Sequence, residues 1–124
     1  MIMHKILLVE DDATMLSLLG TLLEFEGYQV ASLNGEADAE VILQKMHAEM
    51  PELILLDVHL PGVSGFDLMR RMRSDDILMS TKVIMSSGMN LSLESRQAGA
   101  DGFILKPYMP EELVEKIRET IENE

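Results

Sequence analysis

The feature that most constrains the fold is a repeated alternation between short apolar runs and longer segments with helical spacing. The short runs are rich in Val, Ile and Leu and do not alternate polar with apolar residues, which is typical of strands buried on both faces of a parallel sheet. Five strands are predicted, over Lys5 to Val9, Tyr28 to Leu33, Leu53 to Leu56, Val83 to Met85 and Phe103 to Leu105.

Helical patterns fill the segments between these strands. An apolar stripe from Met15 to Leu23 is followed by a stop signal at Glu26-Gly27. Further helices are predicted over Glu36 to Met50, Gly65 to Arg73, Leu91 to Ala98 and Pro110 to Ile121. The fourth helix is short and its form is left open. Five strands alternating with five helices predict an α/β fold, an open, parallel, doubly wound sheet with helices on both faces.

Composition narrows the classes of function. With 124 residues, the chain is expected to form one domain over residues 1–124. Its formal net charge of -12 repels phosphate backbones, so we expect no direct binding of nucleic acid. The absence of cysteine excludes disulfides and thiolate metal sites and is compatible with a reducing cytoplasm, where we expect the chain to act. The apolar run Ile6 to Val9 is far shorter than the ~20 residues of a membrane span, so no membrane association is expected.

Polar residues follow four of the predicted strands. In doubly wound sheets, ligands bind beyond the carboxyl ends of the strands. Carboxylates, hydroxyls and an ammonium group are therefore expected to converge at one edge of the sheet. They belong to Glu10-Asp11-Asp12 at the end of the first strand, Asp57 at the end of the third, Ser86-Ser87-Gly88 at the end of the fourth and Lys106-Pro107 at the end of the fifth.

This set of groups predicts phosphoryl chemistry. Clustered carboxylates repel one another, so they need positive charge from Lys106 and from a hard divalent cation. Oxygen ligands without cysteine or a histidine cluster favour Mg²⁺, with Mn²⁺ as a substitute. An aspartate can accept a phosphoryl group as an acyl phosphate, while the cation and the lysine stabilise the equatorial oxygens. The Ser87 hydroxyl and the Gly88 N–H are placed to bind the same phosphoryl group.

Taken together and in this order, the motifs resemble the receiver domain of two-component response regulators, in its chemotaxis-regulator-like form. The resemblance covers essentially the whole chain. One motif alone is weak, but motifs in register at the ends of four strands are specific. The matching segments are Glu10-Asp11, Leu56 to Gly62 followed by Gly65, Ser87, and Gly99 to Phe103 followed by Lys106-Pro107.

The resemblance implies a flavodoxin-like sheet of order 2-1-3-4-5 and a specific set of site residues. Asp57 would be the phosphoacceptor. Mg²⁺ would be held by Asp11, Asp57 and the backbone carbonyl of His59, with Glu10 acting through water. A cis peptide bond before Pro107 would direct the preceding lysine toward the site.

The resemblance also implies a switch and its partners. Ser87 and Phe103 would shift together on phosphorylation and remodel the surface of helix four, strand five and helix five. The phosphodonor would be a histidine kinase or a phosphotransfer protein, and the reader a downstream protein or a fused output domain. The chain would not be an enzyme beyond self-catalysed phosphoryl transfer and autodephosphorylation. Phosphorylation-linked homodimerisation through the strand-five face is a further hypothesis.

The chain departs from the family pattern between Ser87 and Lys106, which is about one helical turn shorter than usual. Because of this departure, the sequence does not predict the form of the fourth helix or whether the chain has the ordinary output surface. His59 and Met89 stand where the family varies and are expected to tune dephosphorylation, in a direction that the sequence does not give.

Several residues also have ordinary structural interpretations. Asp12 is interpreted primarily as the N-cap of the first helix, whereas Met109 is a poor N-cap for the last. Adjacent strand residues point to opposite faces, so Ser86 competes with Ser87, and alignment with the family favours Ser87. Asp57 could be a capping or loop aspartate, Lys106 a surface lysine, and Phe103 plain core.

Three other functions compete with the phosphorylated switch. A flavin- or nucleotide-binding module would need a loop of backbone N–H groups after the first strand, where the acidic Glu10-Asp11-Asp12 stands instead. An aspartate-nucleophile phosphatase would carry an Asp-x-Asp pattern after that strand. A degenerate receiver acting only as an interaction scaffold would have lost an acidic residue or the lysine, and neither is lost here.

Overall fold

Strands and helices alternate along the chain as the sequence predicts. A computed structural model describes residues 3–34 and 36–122. The strands are β1 (Lys5–Glu10), β2 (Gln29–Asn34), β3 (Leu53–Asp57), β4 (Lys82–Ser87) and β5 (Gly102–Leu105). The helices are α1 (Ala13–Phe25), α2 (Ala39–Glu49), α3 (Gly65–Arg73), α4 (Ser92–Gln97) and α5 (Pro110–Glu122).

The five strands form one parallel sheet in the order β2-β1-β3-β4-β5. This confirms the predicted strand order and the doubly wound topology. Leu8 in β1 pairs with Leu55 in β3, which in turn pairs with Ile84 in β4. Because the strands run parallel in this register, the last residues of β1, β3 and β4 lie at the same edge of the sheet.

The sheet separates two hydrophobic clusters, which confirms that helices cover both of its faces. Side chains of α2 and α3 pack on one face with Leu7 and Val9 of β1. Side chains of α1 and α5 pack on the other face with Ile6 and Leu8. The alternation along β1 follows from the two-residue period of a strand, and burial of both faces explains why the strands are continuously apolar.

Two helix starts agree with the sequence interpretation. Asp12 is the N-cap of α1, and its side chain accepts a hydrogen bond of 3.0 Å from the backbone N–H of Met15. Met109 offers no side-chain oxygen to α5. Instead, the Glu112 carboxylate accepts a hydrogen bond of 3.1 Å from the Met109 N–H, which is one half of a capping box.

Some predicted boundaries were wrong. Helix α2 was expected to begin at Glu36, but it begins at Ala39 because Asp38 caps it and accepts a 3.0 Å hydrogen bond from the Val41 N–H. Strands β3 and β4 extend beyond their apolar runs, so that Asp57 and Ser87 are their last residues, at the strand ends where the sequence places them.

Helix α4 is as short as the sequence indicates. It spans the 6 residues Ser92–Gln97, and Leu91 at its N-cap position makes no side-chain capping hydrogen bond. Beyond its end, Gly99 has φ of +104°, a left-handed conformation that favours glycine. Among the described helices, none is long and apolar enough to cross a membrane.

Candidate functional site

The expected convergence of charged groups occurs at the carboxyl edge of the sheet. Glu10 and Asp57 are the last residues of β1 and β3, and Lys106 directly follows β5. The Lys106 Nζ lies 2.8 Å from Glu10 Oε2 and 2.9 Å from Asp57 Oδ2. Glu10 and Asp57 are only 1% and 5% exposed. One ammonium group therefore bridges two buried carboxylates from neighbouring strands.

The pKa of Lys106 reflects this position. Burial alone would lower the pKa of the ammonium group, but hydrogen bonds to Glu10 and Asp57 and the charges of both outweigh it, so the pKa lies above its usual range. Lys106 therefore carries its charge throughout the physiological pH range.

Glu10 is held from two sides. Its Oε1 accepts hydrogen bonds of 3.1 and 3.2 Å from the backbone N–H groups of Asp11 and Asp12, while its Oε2 faces Lys106. Burial raises the pKa of Glu10. The Lys106 hydrogen bond opposes that rise, and neighbouring Asp11 and Asp57 add to it. Glu10 is thus fixed in place by backbone and lysine together.

The site has the donor set of a hard divalent cation. Glu10, Asp11 and Asp57 each place a carboxylate oxygen within 4.8 Å of the others. By formal charge, the three carboxylates and one lysine leave two negative charges uncompensated, which one divalent cation would balance. All the donors are oxygens, as Mg²⁺ prefers. The residues present therefore fit such a cation.

The histidines lie apart from this cluster or contribute backbone only. His4 pairs with Glu52 at 2.7 Å, and His47 pairs with Asp75 at 2.8 Å. His59 is exposed, and its backbone N–H donates a 3.3 Å hydrogen bond to Asp57 Oδ1.

A tight loop fixes the backbone after Asp57. The Val58 N–H donates to the Ser86 carbonyl at 2.9 Å, and the Gly65 N–H donates to the Val58 carbonyl at 2.8 Å. A Cβ on Gly65 would lie 2.5 Å from the Asp57 carbonyl oxygen. Glycine is therefore required at the start of α3, because the helix presses against the backbone of the candidate phosphoacceptor.

The two serines at the end of β4 occupy different environments. Ser86 pairs in register with Asp57, and its buried hydroxyl has no hydrogen-bond partner within residues 3–34 and 36–122. The Ser87 hydroxyl accepts a 3.0 Å hydrogen bond from the Met89 N–H. Gly88 follows and lines a cavity together with Glu10 and Lys106.

Two further residues complete the expected set. Phe103 is half-buried and packs against the hydrophobic cluster on the α2 and α3 face of the sheet. Val83 and Met85 of β4 belong to the same cluster, whereas Ser86 points to the other face. The Lys106–Pro107 peptide bond is cis.

Tyr108 was not identified as a site residue from the sequence. Its hydroxyl is buried and has no hydrogen-bond partner in the part of the chain that the structure describes, and the residue lines the same cavity as Glu10 and Lys106. Burial raises the pKa of Tyr108 to about 12, and the charge of Glu10 adds to that rise. Its position directly after Lys106–Pro107 was the available signal.

The sequence is similar to response regulators. It is 37% identical over 118 residues to the DNA-binding response regulator MtrA of Mycolicibacterium paratuberculosis, covering 93% of this chain and 50% of the relative. It is 31% identical over 121 residues to the phosphate regulon transcriptional regulatory protein PhoB of Pseudomonas aeruginosa, covering 95% of this chain and 52% of the relative. The chain therefore spans about half the length of these curated relatives.

The fold and the family model agree with this similarity. A crystal structure of a CheY-like response regulator receiver domain protein from Methanospirillum hungatei superposes with a TM-score of 0.84 at 37% identity, covering 98% of this chain and 95% of that one. Residues 6–118 match the model of the response regulator receiver domain. The chain belongs to the response regulator receiver domain family.

Proposed function

We propose that this receiver domain accepts a phosphoryl group on Asp57 from a histidine kinase or a phosphotransfer protein. The observation that carries the proposal is the placement of the Asp57 carboxylate. It ends β3 at the edge of the sheet, hydrogen-bonded to Lys106 at 2.9 Å and grouped with Glu10 and Asp11. A carboxylate in this setting can attack the phosphorus of a donor, because groups that would stabilise the charge of the phosphoryl oxygens lie beside it.

The transfer exchanges one bond for another at phosphorus. An Asp57 carboxylate oxygen forms a P–O bond while the donor's P–N or P–O bond breaks, and the electron pair of that bond leaves with the donor. Later attack by water on phosphorus would break the bond between phosphorus and the Asp57 oxygen, release inorganic phosphate and return the free aspartate. The chain supplies the residues for both steps, so we expect self-catalysed transfer and autodephosphorylation without steady turnover of phosphoesters.

The residues have distinct proposed roles. Lys106 binds a phosphoryl oxygen as its charge moves from donor to aspartate. The Ser87 hydroxyl donates to a second oxygen, since its contact with the Met89 N–H uses only its acceptor capacity. The Gly88 N–H donates to the same group. The cis peptide bond between Lys106 and Pro107 would direct the lysine toward the site.

Mg²⁺, or Mn²⁺ in its place, would be held by Asp11, Asp57 and the His59 carbonyl, with Glu10 acting through water. When bound, the cation neutralises part of the charge on the phosphoryl oxygens. The oxygen donor set and its two uncompensated charges support this assignment.

The proposed output is a change of surface. Ser87 and Phe103 would shift on phosphorylation and remodel the face of α4, β5 and α5. Exposed apolar side chains in and beside these elements could contact a partner. The partner would be a downstream protein, a fused output domain or a second copy of the chain. The exposed residues are Met89, Leu93, Leu105 and Met109.

We further propose that residues 1–124 act as one receiver unit in the cytoplasm. The net charge of -12 argues against direct contact of this unit with DNA. The names of MtrA and PhoB describe those longer proteins, of which this chain matches about half.

The test is an intact-mass measurement after incubation with Mg²⁺ and a small acyl phosphate. We expect a gain of one phosphoryl group that is labile to hydroxylamine and abolished by a chelator. Asp57→Asn is the matched variant and should show no gain, because an amide cannot form the acyl phosphate. A folded wild-type protein that gains no phosphoryl group, from the small donor or from a phosphorylated kinase, would contradict the proposal and favour a scaffold role.

A further inference from the structure

The Tyr108 hydroxyl, which lies beside the site, has no hydrogen-bond partner among the residues that the structure describes. Tyr108 is only 7% exposed. Buried polar groups are nearly always paired, because a donor removed from water without a partner is costly. A lone buried hydroxyl next to a reactive site therefore calls for a partner in another state of the protein.

The surroundings of Tyr108 identify that partner. Tyr108 lines a cavity of about 400 Å³ together with Glu10, Met15 and Lys106. Of the two carboxylates that line this cavity, Asp12 is exposed and caps α1, whereas Glu10 is buried.

Glu10 has one oxygen whose hydrogen bond depends on Lys106. Its Oε1 accepts from the backbone N–H groups of Asp11 and Asp12, which do not depend on the lysine. Its Oε2 accepts from Lys106 at 2.8 Å. If Lys106 turns toward a phosphoryl group on Asp57, this oxygen loses the lysine as a donor while remaining buried.

We propose that Tyr108 is a positioning residue whose hydroxyl donates to Glu10 in the phosphorylated state, directly or through a water in the cavity. The hydroxyl replaces Lys106 at Glu10 and so releases the lysine to bind the phosphoryl group. This inference rests on the proposed phosphorylation of Asp57. It predicts that the hydroxyl matters for the phosphorylated form and not for the unmodified one.

The test compares Tyr108→Phe with wild type in binding beryllofluoride, a phosphoryl mimic, in the presence of Mg²⁺. A hydrogen bond to a charged group corresponds to at least a roughly tenfold change in affinity. We expect Tyr108→Phe to bind beryllofluoride about tenfold more weakly, and to melt no lower than wild type when the mimic is absent. Tyr28→Phe removes the same atom from the chain's other tyrosine and should bind the mimic as wild type does.

Tyrosine emission gives a second readout. The chain contains 2 tyrosines and no tryptophan, so Tyr108 is the sole emitter in Tyr28→Phe. Hydrogen bonding of a phenol to a carboxylate quenches its emission. We therefore expect beryllofluoride to quench the emission of the Tyr28→Phe protein.

Three results would overturn the inference. Equal affinity of Tyr108→Phe and wild type would show that the hydroxyl does not act in the phosphorylated state. Equal loss of melting temperature with and without the mimic would show a structural role only. Failure of wild type itself to bind beryllofluoride would count first against the proposed function, and this inference would fall with it.

Discussion

At the scale of single residues, the site depends on how one ammonium group is shared. Lys106 lies within 3 Å of both Glu10 and Asp57, as the separations of 2.8 and 2.9 Å show. Removing one member of a buried charged group leaves the others uncompensated. The positive charge thus holds the two acids together before a donor arrives, and the same charge is available to an incoming phosphoryl group.

The choice between the two serines of β4 gives a prediction at this scale. We expect Ser87→Ala to slow phosphorylation of Asp57 by a small acyl phosphate about tenfold, the effect of losing a hydrogen bond to a charged group. Ser86→Ala removes a hydroxyl that points to the opposite side of β4 from Ser87, so its rate should stay within about twofold of wild type. Initial rates followed by intact mass distinguish the variants. The reverse order would mean that Ser86, which pairs with Asp57, carries the role instead.

Sequence reasoning found residues with a charge or a motif, and it missed residues whose role depends on what surrounds them. Glu10, Asp11 and Asp57 were expected to converge with a lysine, because the carboxyl ends of parallel strands share one edge. Tyr108 was missed, because an aromatic residue in a core position is ordinary. Nothing in the linear sequence shows that its hydroxyl is buried without a partner.

At the scale of elements, the helix ends show where local signals were enough. Asp12 and Asp38 both cap helices through their side chains. The first was identified from the sequence. The second was missed, because Glu36 and Ala37 are also compatible with a helix, so pattern alone placed the start too early. Capping chemistry fixes a boundary more sharply than periodicity does.

Hydrogen bonds between segments distant in the sequence were not predictable. The Arg73 side chain at the end of α3 donates to the Gly99 carbonyl at 3.1 Å, to the Thr81 carbonyl at 2.9 Å and to Asp101 at 3.3 Å. These bonds tie the segment before β4 to the segment after α4. In the sequence, Arg73 is one of three arginines within four residues of an exposed-looking helix end, and no local pattern distinguishes it.

The end of α2 provides an element-scale prediction. Met50 has a left-handed backbone, with φ of 49°, and its side chain is 64% exposed. Glycine adopts this conformation without the steric cost that Met50 bears, so we expect Met50→Gly to raise the free energy of unfolding by ~1 kcal/mol. Urea denaturation measures the change. Met50→Ala keeps the Cβ and should give no gain, and an equal gain from both variants would show that the backbone conformation is not the cause.

At the scale of the whole molecule, the fold brings four distant segments to one place. Glu10 and Lys106 are 96 residues apart in sequence yet form a hydrogen bond. The parallel sheet brings the carboxyl ends of all the strands to one edge, and the Lys106 side chain reaches from the end of β5 past β4 and β3 to the end of β1. The fold and the members of the site were therefore accessible from the sequence. Distances, burial and hydrogen-bond partners were not, because they depend on packing.

Membership of the receiver family decides between the competing functions. The matched region, residues 6–118, includes the acidic pair, the aspartate and the lysine. It sets aside the flavin-binding and phosphatase interpretations and leaves the phosphorylated switch against the scaffold. The intact acid–lysine cluster favours the switch, because a scaffold has no use for three carboxylates held within 4.8 Å of one another.

The most direct test of the central claim is to locate the phosphoryl group. Borohydride reduces an aspartyl phosphate to homoserine, and peptide mass mapping then shows which position was modified. After incubation with Mg²⁺ and an acyl phosphate, we expect homoserine at position 57 and at no other acid. Homoserine at position 11 or 12 instead, or at none in a folded protein that a phosphorylated kinase also fails to modify, would contradict the account.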